Sequence, residues 1–187
     1  MDTIIIPRNT LVALCGPAAC GKSSFAAKHF LPTQVVSSDH CRALVSDDPT
    51  NQGVSGHAFE LMHFIIEKRL YLGRLTVADA TNLKREDRKP LIKIARMYEF
   101  NTAAIVFNIP LEVCLARNRA RARVVPEEAL RAQYDLLIKT LHVIDGERFD
   151  YVYVLDESTQ SSVGVRFGRF VNRRSARGVH SLRQGDA

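Results

Sequence analysis

Eight consecutive residues have the types and spacing needed to bind phosphate. Residues 16–23 are Gly-Pro-Ala-Ala-Cys-Gly-Lys-Ser, which matches the G-x-x-x-x-G-K-S pattern of a P-loop. In such a loop the backbone N–H groups surround an anion, a lysine reaches the β- and γ-phosphates, and a serine hydroxyl binds Mg²⁺. The pattern therefore predicts a site for ATP or another nucleoside triphosphate, with Lys22 on the phosphates and Ser23 on the metal.

The segments on either side of the loop have the order that this chemistry requires. An apolar run at 11–15 predicts a buried strand, and residues 23–30 can continue as a helix whose N-terminus attracts an anion. The alternative is a glycine-rich turn with a coincidental lysine, which the flanking strand and helix disfavour. The expected nucleotide-binding residues are Gly16, Pro17, Ala18, Ala19, Cys20, Gly21, Lys22, Ser23 and Ser24.

Two charged residues follow a second predicted strand at 34–37. Asp39 is a candidate general base, because phosphoryl transfer to a hydroxyl uses a carboxylate that accepts or orients the hydroxyl proton. Arg42 lies three residues further on, so a helix would place it on the same side, where it could bind an anionic acceptor. Asp39 could instead be a helix N-cap, and Arg42 its partner in a simple i, i+3 salt bridge. The residues alone leave these alternatives open.

Asp79 ends a third apolar strand, at 75–78. A carboxylate at this place is typical of the second acidic element of P-loop enzymes, which helps to hold Mg²⁺. The expected metal-binding residues are therefore Ser23 and Asp79. The alternative is that Asp79 belongs to an ordinary turn with Thr81 and Asn82.

Four arginines occur within residues 117–123, with no acidic residue before Glu127. On a helix, Arg117 and Arg121 would share one face, and like charges four residues apart destabilise an isolated helix. A segment with this pattern often binds an anion, which predicts a lid that supplies arginines to the transferring phosphate. The alternative is a solvated basic face.

The rest of the pattern alternates strands with helices, which predicts a parallel sheet covered on both faces. Two further strands are expected at 103–107 and 151–155, and residues 163–170 could add a weak strand or helix. We expect a kinase domain over residues 1–159. The basic segment 160–187 is expected to be partly disordered from Arg173 onward.

Composition narrows the function classes. The chain of 187 residues has a net charge of +6, and the segment from 160 onward contributes six arginines and one aspartate. The remainder is nearly neutral, which argues against a general nucleic-acid binder. No apolar run is long enough for a membrane span or signal peptide, so a cytoplasmic protein without membrane partners is expected. Four cysteines lack metal-site spacing, and only Cys20, inside the loop, raises the alternative of a reactive thiol.

Several segments, in order along residues 10–156, resemble the kinase domain of bacterial polynucleotide kinase-phosphatases. This resemblance is far more specific than the loop alone. It is carried by residues 16–23, 36–42, 44–48, 75–82, 88–92, 106–110, 113–114 with 117–118, and 151–155.

The resemblance implies an α/β P-loop NTPase fold with a five-stranded parallel sheet in the order 2-3-1-4-5 and an arginine-bearing helical lid. It also implies transfer of the γ-phosphate of an NTP to the 5′-OH end of RNA or DNA. Lys22, Asp39, Arg117 and Arg121 would be catalytic, and Asp39 with Arg42 would bind the acceptor. The family's third lid arginine aligns with Val124, which leaves the role of Arg123 open.

The phosphatase and ligase-like domains of that family are absent from this sequence, so we expect such domains or proteins as pathway partners. A second candidate function is a kinase for a hydroxyl of a nucleoside, sugar or antibiotic. A third is a noncatalytic nucleotide-binding module of a repair assembly, for which Asp39 would be unnecessary. The sequence contains no aromatic cluster that would distinguish RNA from DNA.

Overall fold

A computed structural model describes residues 3–169 and 181–182. The strands are β1 (Thr3–Pro7), β2 (Thr10–Cys15), β3 (Val35–Ser37), β4 (Thr76–Asp79), β5 (Asn101–Phe107), β6 (Tyr151–Leu155), β7 (Gly164–Gly168) and β8 (Ser181–Leu182). The helices are α1 (Lys22–His29), α2 (Ser38–Ser46), α3 (Ser55–Tyr71), α4 (Arg85–Met97), α5 (Leu111–Arg119), α6 (Glu127–Val143) and α7 (Glu157–Ser162).

The main sheet has the order β3-β4-β2-β5-β6-β8, and its neighbouring strands are all parallel. The five strands predicted from the sequence are β2, β3, β4, β5 and β6, so the predicted α/β fold and the 2-3-1-4-5 order are confirmed. The two-residue strand β8 extends the sheet beyond β6. Because parallel strands end at one edge, the sheet brings the ends of β2, β3 and β4 together.

The central strand β2 is buried along its whole length. Its alternate residues belong to two separate apolar clusters, because successive side chains of a strand point to opposite faces. Leu11 and Ala13 pack with helices α3, α4 and α6, whereas Val12 and Leu14 pack with α1 and α5. Helices therefore cover both faces of the sheet, and the loop after β2 emerges from the most constrained part of the fold.

A second, two-stranded sheet joins β1 to β7 in parallel, with Ile4 opposite Val165. The sequence did not predict β1, and residues 163–170 were expected to form a strand or a helix. Ile4 and Ile6 are fully buried, which explains why such a short apolar segment is ordered. Residues 160–168, assigned from sequence to the basic C-terminal segment, thus form part of α7 and β7. The expected disorder from Arg173 onward falls largely outside the described residues, apart from β8.

None of the helices in the described residues is long and apolar enough to cross a membrane.

A buried ion pair holds the turn after β4. Arg88 on α4 donates to Glu147 through Nε at 2.7 Å and Nη2 at 2.5 Å, and both side chains are almost completely buried. Arg88 also donates to the carbonyl of Asn82 at 2.8 Å, and Asn82 in turn donates to the Leu14 carbonyl at 2.8 Å. The pair therefore ties the end of β2, which leads into the loop, to the turn that follows Asp79.

We expect Glu147→Ala to lower the free energy of unfolding by about 3–5 kcal/mol, because it leaves the buried Arg88 guanidinium without its counter-charge. Urea denaturation measures this change. The matched control is Glu127→Ala, which removes exposed pairs with Arg119 and Arg131 and should cost much less. Similar losses for the two variants would contradict the anchoring role of Glu147.

Candidate active site

The loop between β2 and α1 (residues 16–21, the phosphate loop) has the backbone geometry of an anion-binding turn. Ala19 and Gly21 have φ angles of 59° and 101°, which place both in the left-handed region. Such turns aim successive N–H groups at one point. At Gly16 a Cβ would come within 2.7 Å of Cys20 Sγ, so this position has no room for a side chain. Cys20 is fully buried.

The side chain of Lys22 lies along the loop. Its Nζ donates to the carbonyls of Gly16 at 2.9 Å and Pro17 at 2.7 Å, and lies 3.6 Å from Cys20 Sγ. Lys22 is 9% exposed, so its ammonium is largely removed from water. A buried cation whose partners are two carbonyls and a thiol sulfur, all uncharged, is well placed to exchange them for a charged phosphate oxygen.

Ser23 and Asp79 meet at the ends of α1 and β4. Ser23 Oγ donates to Asp79 Oδ2 at 2.8 Å. Burial raises the pKa of the Asp79 carboxyl, and the Ser23 hydroxyl and the Lys22 ammonium offset only part of that shift. A buried carboxylate beside a serine hydroxyl fits Mg²⁺, which prefers oxygen ligands and usually takes only one or two carboxylates, with water and phosphate completing its shell. The described residues contain no cluster of three or more His, Cys, Asp or Glu side chains around one point.

We expect Asp79→Asn to raise stability at neutral pH, because asparagine can accept the Ser23 hydrogen bond without the cost of burying a charge. The folded chain holds the Asp79 proton more tightly than the unfolded chain, so wild-type stability falls as pH rises through the interval between the two pKa values. The gain of the variant therefore appears above that interval and vanishes below it. Urea midpoints at acidic and neutral pH measure the effect, with exposed Asp135→Asn as control. An unchanged or lower midpoint at pH 7 would contradict the prediction.

Asp39 lies in the first turn of α2, directly after β3. The N-cap of α2 is Ser37, whose Oγ accepts from His40 N at 3.4 Å, so the alternative that Asp39 caps the helix is wrong. Asp39 is paired with Arg42, as the i, i+3 spacing predicts, and Arg42 Nε donates to Ser55 Oγ at 3.4 Å. The side chain of Asp39 is 54% exposed whereas that of Arg42 is 9% exposed. The Asp39 carboxylate is thus exposed to solvent, while the arginine that pairs with it is buried.

The arginine cluster is helical only in its first part. Helix α5 ends at Arg119, and residues 121–126 form a loop, the arginine loop. The expectation that one helix face carries Arg117 and Arg121 is therefore wrong. The chain leaves the helix because Asn118 bonds back to the loop, through Nδ2 to the Val125 carbonyl and through Oδ1 to the Val125 N–H. Arg117 and Arg119 therefore lie at the end of a helix, whereas Arg121 and Arg123 lie in the loop.

Each arginine of the cluster has its own position. Arg117 lies 3.5 Å from the Cys20 carbonyl and 3.5 Å from Glu157, beside the phosphate loop. Arg121 lines the cleft that contains the phosphate loop. Arg123, whose role the sequence left open, reaches across to Asp39 Oδ2 at 3.3 Å. The arginine cluster thus contacts the phosphate loop through Arg117 on α5 and the candidate base through Arg123 in the loop.

Two glutamines that the sequence did not indicate contact the phosphate loop. Gln160 on α7 donates through Nε2 to the Cys20 carbonyl at 2.8 Å. Gln133 on α6 accepts from the Ala18 N–H through Oε1 at 2.8 Å. Both contacts join residues more than 100 positions apart, so no local sequence signal identifies them.

All these groups open into one cleft of about 1410 Å³. Its floor is formed by the phosphate loop with Asp79, one wall by the start of α2 with α3, and the other by the arginine loop with α6 and α7. The donor-phosphate groups and the Asp39–Arg42 pair share this space. The arrangement can hold a triphosphate beside a second ligand that carries a hydroxyl.

The comparisons with known proteins agree with this geometry. A family described as an AAA domain, AAA_33, matches residues 11–141, most of the chain. The chain belongs to the AAA_33 family. No curated protein matches it by sequence.

Solved structures resemble this AAA_33 chain at low sequence identity, so they show the fold alone. A chain of the Pnkp1/Rnl/Hen1 RNA repair complex has a TM-score of 0.62 and 20% identity; the match covers 73% of this chain and 46% of that one. A protein of the PezAT toxin-antitoxin system of Streptococcus pneumoniae has a TM-score of 0.60, 13% identity and coverages of 84% and 70%. A gluconokinase from Sinorhizobium meliloti 1021 has a TM-score of 0.51, 18% identity and coverages of 80% and 83%.

The AAA_33 chain spans less than half the length of the similar chain in the repair complex. Its family is AAA_33 and its fold is that of P-loop kinases, which implies nucleotide binding. The three similar structures differ in what their names say they do, so the acceptor is a separate question.

Proposed function

We propose that this protein is a polynucleotide 5′-hydroxyl kinase, which transfers the γ-phosphate of ATP or another NTP to the 5′-OH end of RNA or DNA. The observation that carries the proposal is the position of Asp39. Its exposed carboxylate lies in the cleft that contains the phosphate loop and is paired with the buried Arg42. A carboxylate beside a fixed arginine suits an acceptor that has a reactive hydroxyl and a phosphate of its own.

Each residue has a defined role in the proposed reaction. Asp39 accepts the proton of the 5′-OH, and Arg42 binds the phosphate that follows the first nucleoside of the acceptor. Lys22 and the loop N–H groups bind the donor phosphates, while Arg117 and Arg121 neutralise charge on the transferring group. Ser23 and Asp79 would hold Mg²⁺. Held there, the ion would supply positive charge that offsets the charge of the donor phosphates.

Arg123 must change its position before the phosphoryl group is transferred. In the structure it occupies one oxygen of Asp39 and also donates to the Pro49 carbonyl at 3.2 Å. The acceptor hydroxyl needs that carboxylate oxygen, so Arg123 must move away when the acceptor binds. We therefore propose that Arg123 covers the base in the free protein rather than acting on the γ-phosphate.

The similarity to a chain of an RNA repair complex supports a nucleic-acid end as acceptor, and it makes phosphatase and ligase activities plausible partners in end healing. The similarity to a gluconokinase supports the second candidate, a small-molecule kinase. The buried Arg42 favours the first over a neutral nucleoside or sugar, which offers it no anionic group. Gluconate has a carboxylate, so it belongs among the acceptors to be tested. A noncatalytic module would have no use for an acid at this position.

A panel of acceptors tests the proposal. Wild-type protein, Mg²⁺ and ATP labelled in the γ-phosphate are incubated with 5′-OH RNA, 5′-OH DNA, a nucleoside 3′-phosphate, the same nucleoside without phosphate, and gluconate. We expect label on the oligonucleotides and weaker labelling of the nucleoside 3′-phosphate. Labelling of the nucleoside or gluconate, with none of the oligonucleotides, would favour the small-molecule kinase and overturn the proposal.

Arg42→Ala sharpens this test. We expect the KM for a 5′-OH oligonucleotide to rise by about tenfold or more, since one charge-assisted contact to the acceptor phosphate is lost. The KM for ATP should change little. Arg42→Lys, which keeps the charge, should recover part of the loss, and Arg131→Ala on the exposed face of α6 serves as control. An unchanged oligonucleotide KM in Arg42→Ala would remove Arg42 from the acceptor site.

A further inference from the structure

One peptide unit of the phosphate loop is held from both sides. Its carbonyl, that of Pro17, accepts from Lys22 Nζ at 2.7 Å. Its N–H, that of Ala18, donates to Gln133 Oε1 at 2.8 Å. The first partner is part of the loop's own helix, whereas the second comes from α6, 115 positions away in the sequence. This peptide therefore links the phosphate-binding lysine to the helix that follows the arginine loop.

The place of this peptide relative to the donor follows from Lys22. In a P-loop the lysine reaches the β- and γ-phosphates, so the groups that its ammonium touches in the free protein lie next to that end of the triphosphate. The Ala18 N–H is a donor that a phosphate oxygen can take over, because a charged acceptor forms a stronger hydrogen bond than an amide oxygen. The side-chain amide of Gln133 then lies at the position where the γ-phosphate would bind.

Gln133 is able to respond to that exchange. Its orientation is fixed by the contact, since Oε1 must face the Ala18 N–H and Nε2 must then be the other end of the amide. Within the described residues, Nε2 has no hydrogen-bond partner, and Gln133 lines the cleft. A rotation of the amide would turn this donor toward a γ-phosphate oxygen. A nucleoside diphosphate offers no such oxygen and would leave the contact with Ala18 in place.

Helix α6 connects this event to the arginine loop. The loop of residues 121–126 leads directly into α6, and Val125 is bonded to Asn118 through both its N–H and its carbonyl. A shift of α6 therefore carries the loop that contains Arg121 and Arg123. Arg123 is the residue that covers Asp39.

We propose that Gln133 detects the γ-phosphate of the donor: its amide holds the Ala18 N–H in the free and diphosphate-bound protein and binds the γ-phosphate when a triphosphate is present. The change is passed through α6 to the arginine loop. The inference rests on the loop's binding of a nucleoside triphosphate, as in the proposed function, but not on the identity of the acceptor.

Binding measurements without any acceptor test the inference. Calorimetric titration with Mg²⁺ and either ADP or a nonhydrolysable ATP analogue gives the ratio of the two dissociation constants. In Gln133→Glu the acceptor oxygen for Ala18 is kept, but the donor is lost and a negative charge faces the γ-phosphate. We expect affinity for the triphosphate to fall about tenfold or more, with affinity for ADP changed less than about twofold.

Trypsin provides a second readout, because Arg121 and Arg123 lie in an exposed loop. We expect the ATP analogue to change the rate of cleavage in this loop in the wild-type chain, and ADP to leave it unchanged. In Gln133→Ala the two nucleotides should have the same effect. Asp135→Asn, an exposed substitution on the same helix, should behave as wild type in both experiments.

A ratio of dissociation constants that Gln133→Glu leaves unchanged, or a parallel loss for both nucleotides, would overturn the inference. So would equal effects of ADP and the ATP analogue on wild-type cleavage. Failure to label a 5′-OH end would overturn the proposed acceptor and leave these results intact. A wild-type chain that binds neither nucleotide would overturn both.

Discussion

Asp39→Asn is expected to lower the rate of phosphoryl transfer to a 5′-OH oligonucleotide by about 10²–10⁴-fold, the usual contribution of a positioned general base. Asparagine has nearly the same shape and can still contact Arg42, but it cannot accept the hydroxyl proton. The loss should therefore fall on kcat, with the KM for ATP nearly unchanged. The measurement is steady-state transfer of labelled γ-phosphate over a range of ATP and oligonucleotide concentrations.

The matched control is Asp47→Asn at the C-terminal end of the same helix. Asp47 has a φ of 55°, a conformation that asparagine tolerates, so this variant should fold and act as wild type. If Asp39→Asn retained near wild-type kcat, Asp39 would not be the base. The Asp39–Arg42 pair would then serve binding alone.

Lys22→Ala should reduce transfer at least about 100-fold, because a preorganised cation aimed at the charge that develops on the phosphate is lost. Lys22 also donates to two carbonyls of the phosphate loop, so its loss should disturb the loop and weaken ATP binding as well. Both kcat and the ATP dissociation constant should change, unlike the kcat-specific loss in Asp39→Asn. Transfer assays and calorimetry distinguish the two patterns.

Lys139→Ala, an exposed lysine of α6, is the control for loss of one positive charge. Lys22→Arg, which keeps the charge, should recover little activity, since the planar guanidinium does not reproduce the two carbonyl contacts of the compact ammonium. Wild-type ATP affinity in Lys22→Ala would show that the loop does not hold the donor through this residue.

The sequence predicted those parts of the fold and site that depend on local pattern. The G-x-x-x-x-G-K-S spacing is local because the loop wraps its anion with consecutive N–H groups. The strands β2, β4, β5 and β6 are buried on both faces and so appear as largely apolar runs between helices. Asp39 and Asp79 follow from the rule that ligands meet the carboxyl ends of parallel strands.

The remaining parts depend on contacts between distant segments. The contact of Arg123 with Asp39 requires the chain to leave helix α5 at Arg119, which follows from the hydrogen bonds of Asn118 to Val125. A helical extrapolation of the arginine spacing could not foresee it. Gln133 and Gln160 have ordinary surroundings in the sequence and gain their positions only when α6 and α7 pack beside the loop. β1 was missed because its partner β7 lies at the opposite end of the described chain.

The β1–β7 pair, formed by two segments far apart in the sequence, helps to keep the phosphate loop ordered. Contacts between segments so far apart in sequence form late, because the chain between them must be ordered first. β7 is joined to α7 through the buried Val163, and α7 holds the Cys20 carbonyl through Gln160. Local opening of the pair would therefore loosen the phosphate loop while the main sheet stayed intact. Hydrogen exchange at β1 and in the phosphate loop should accordingly rise and fall together.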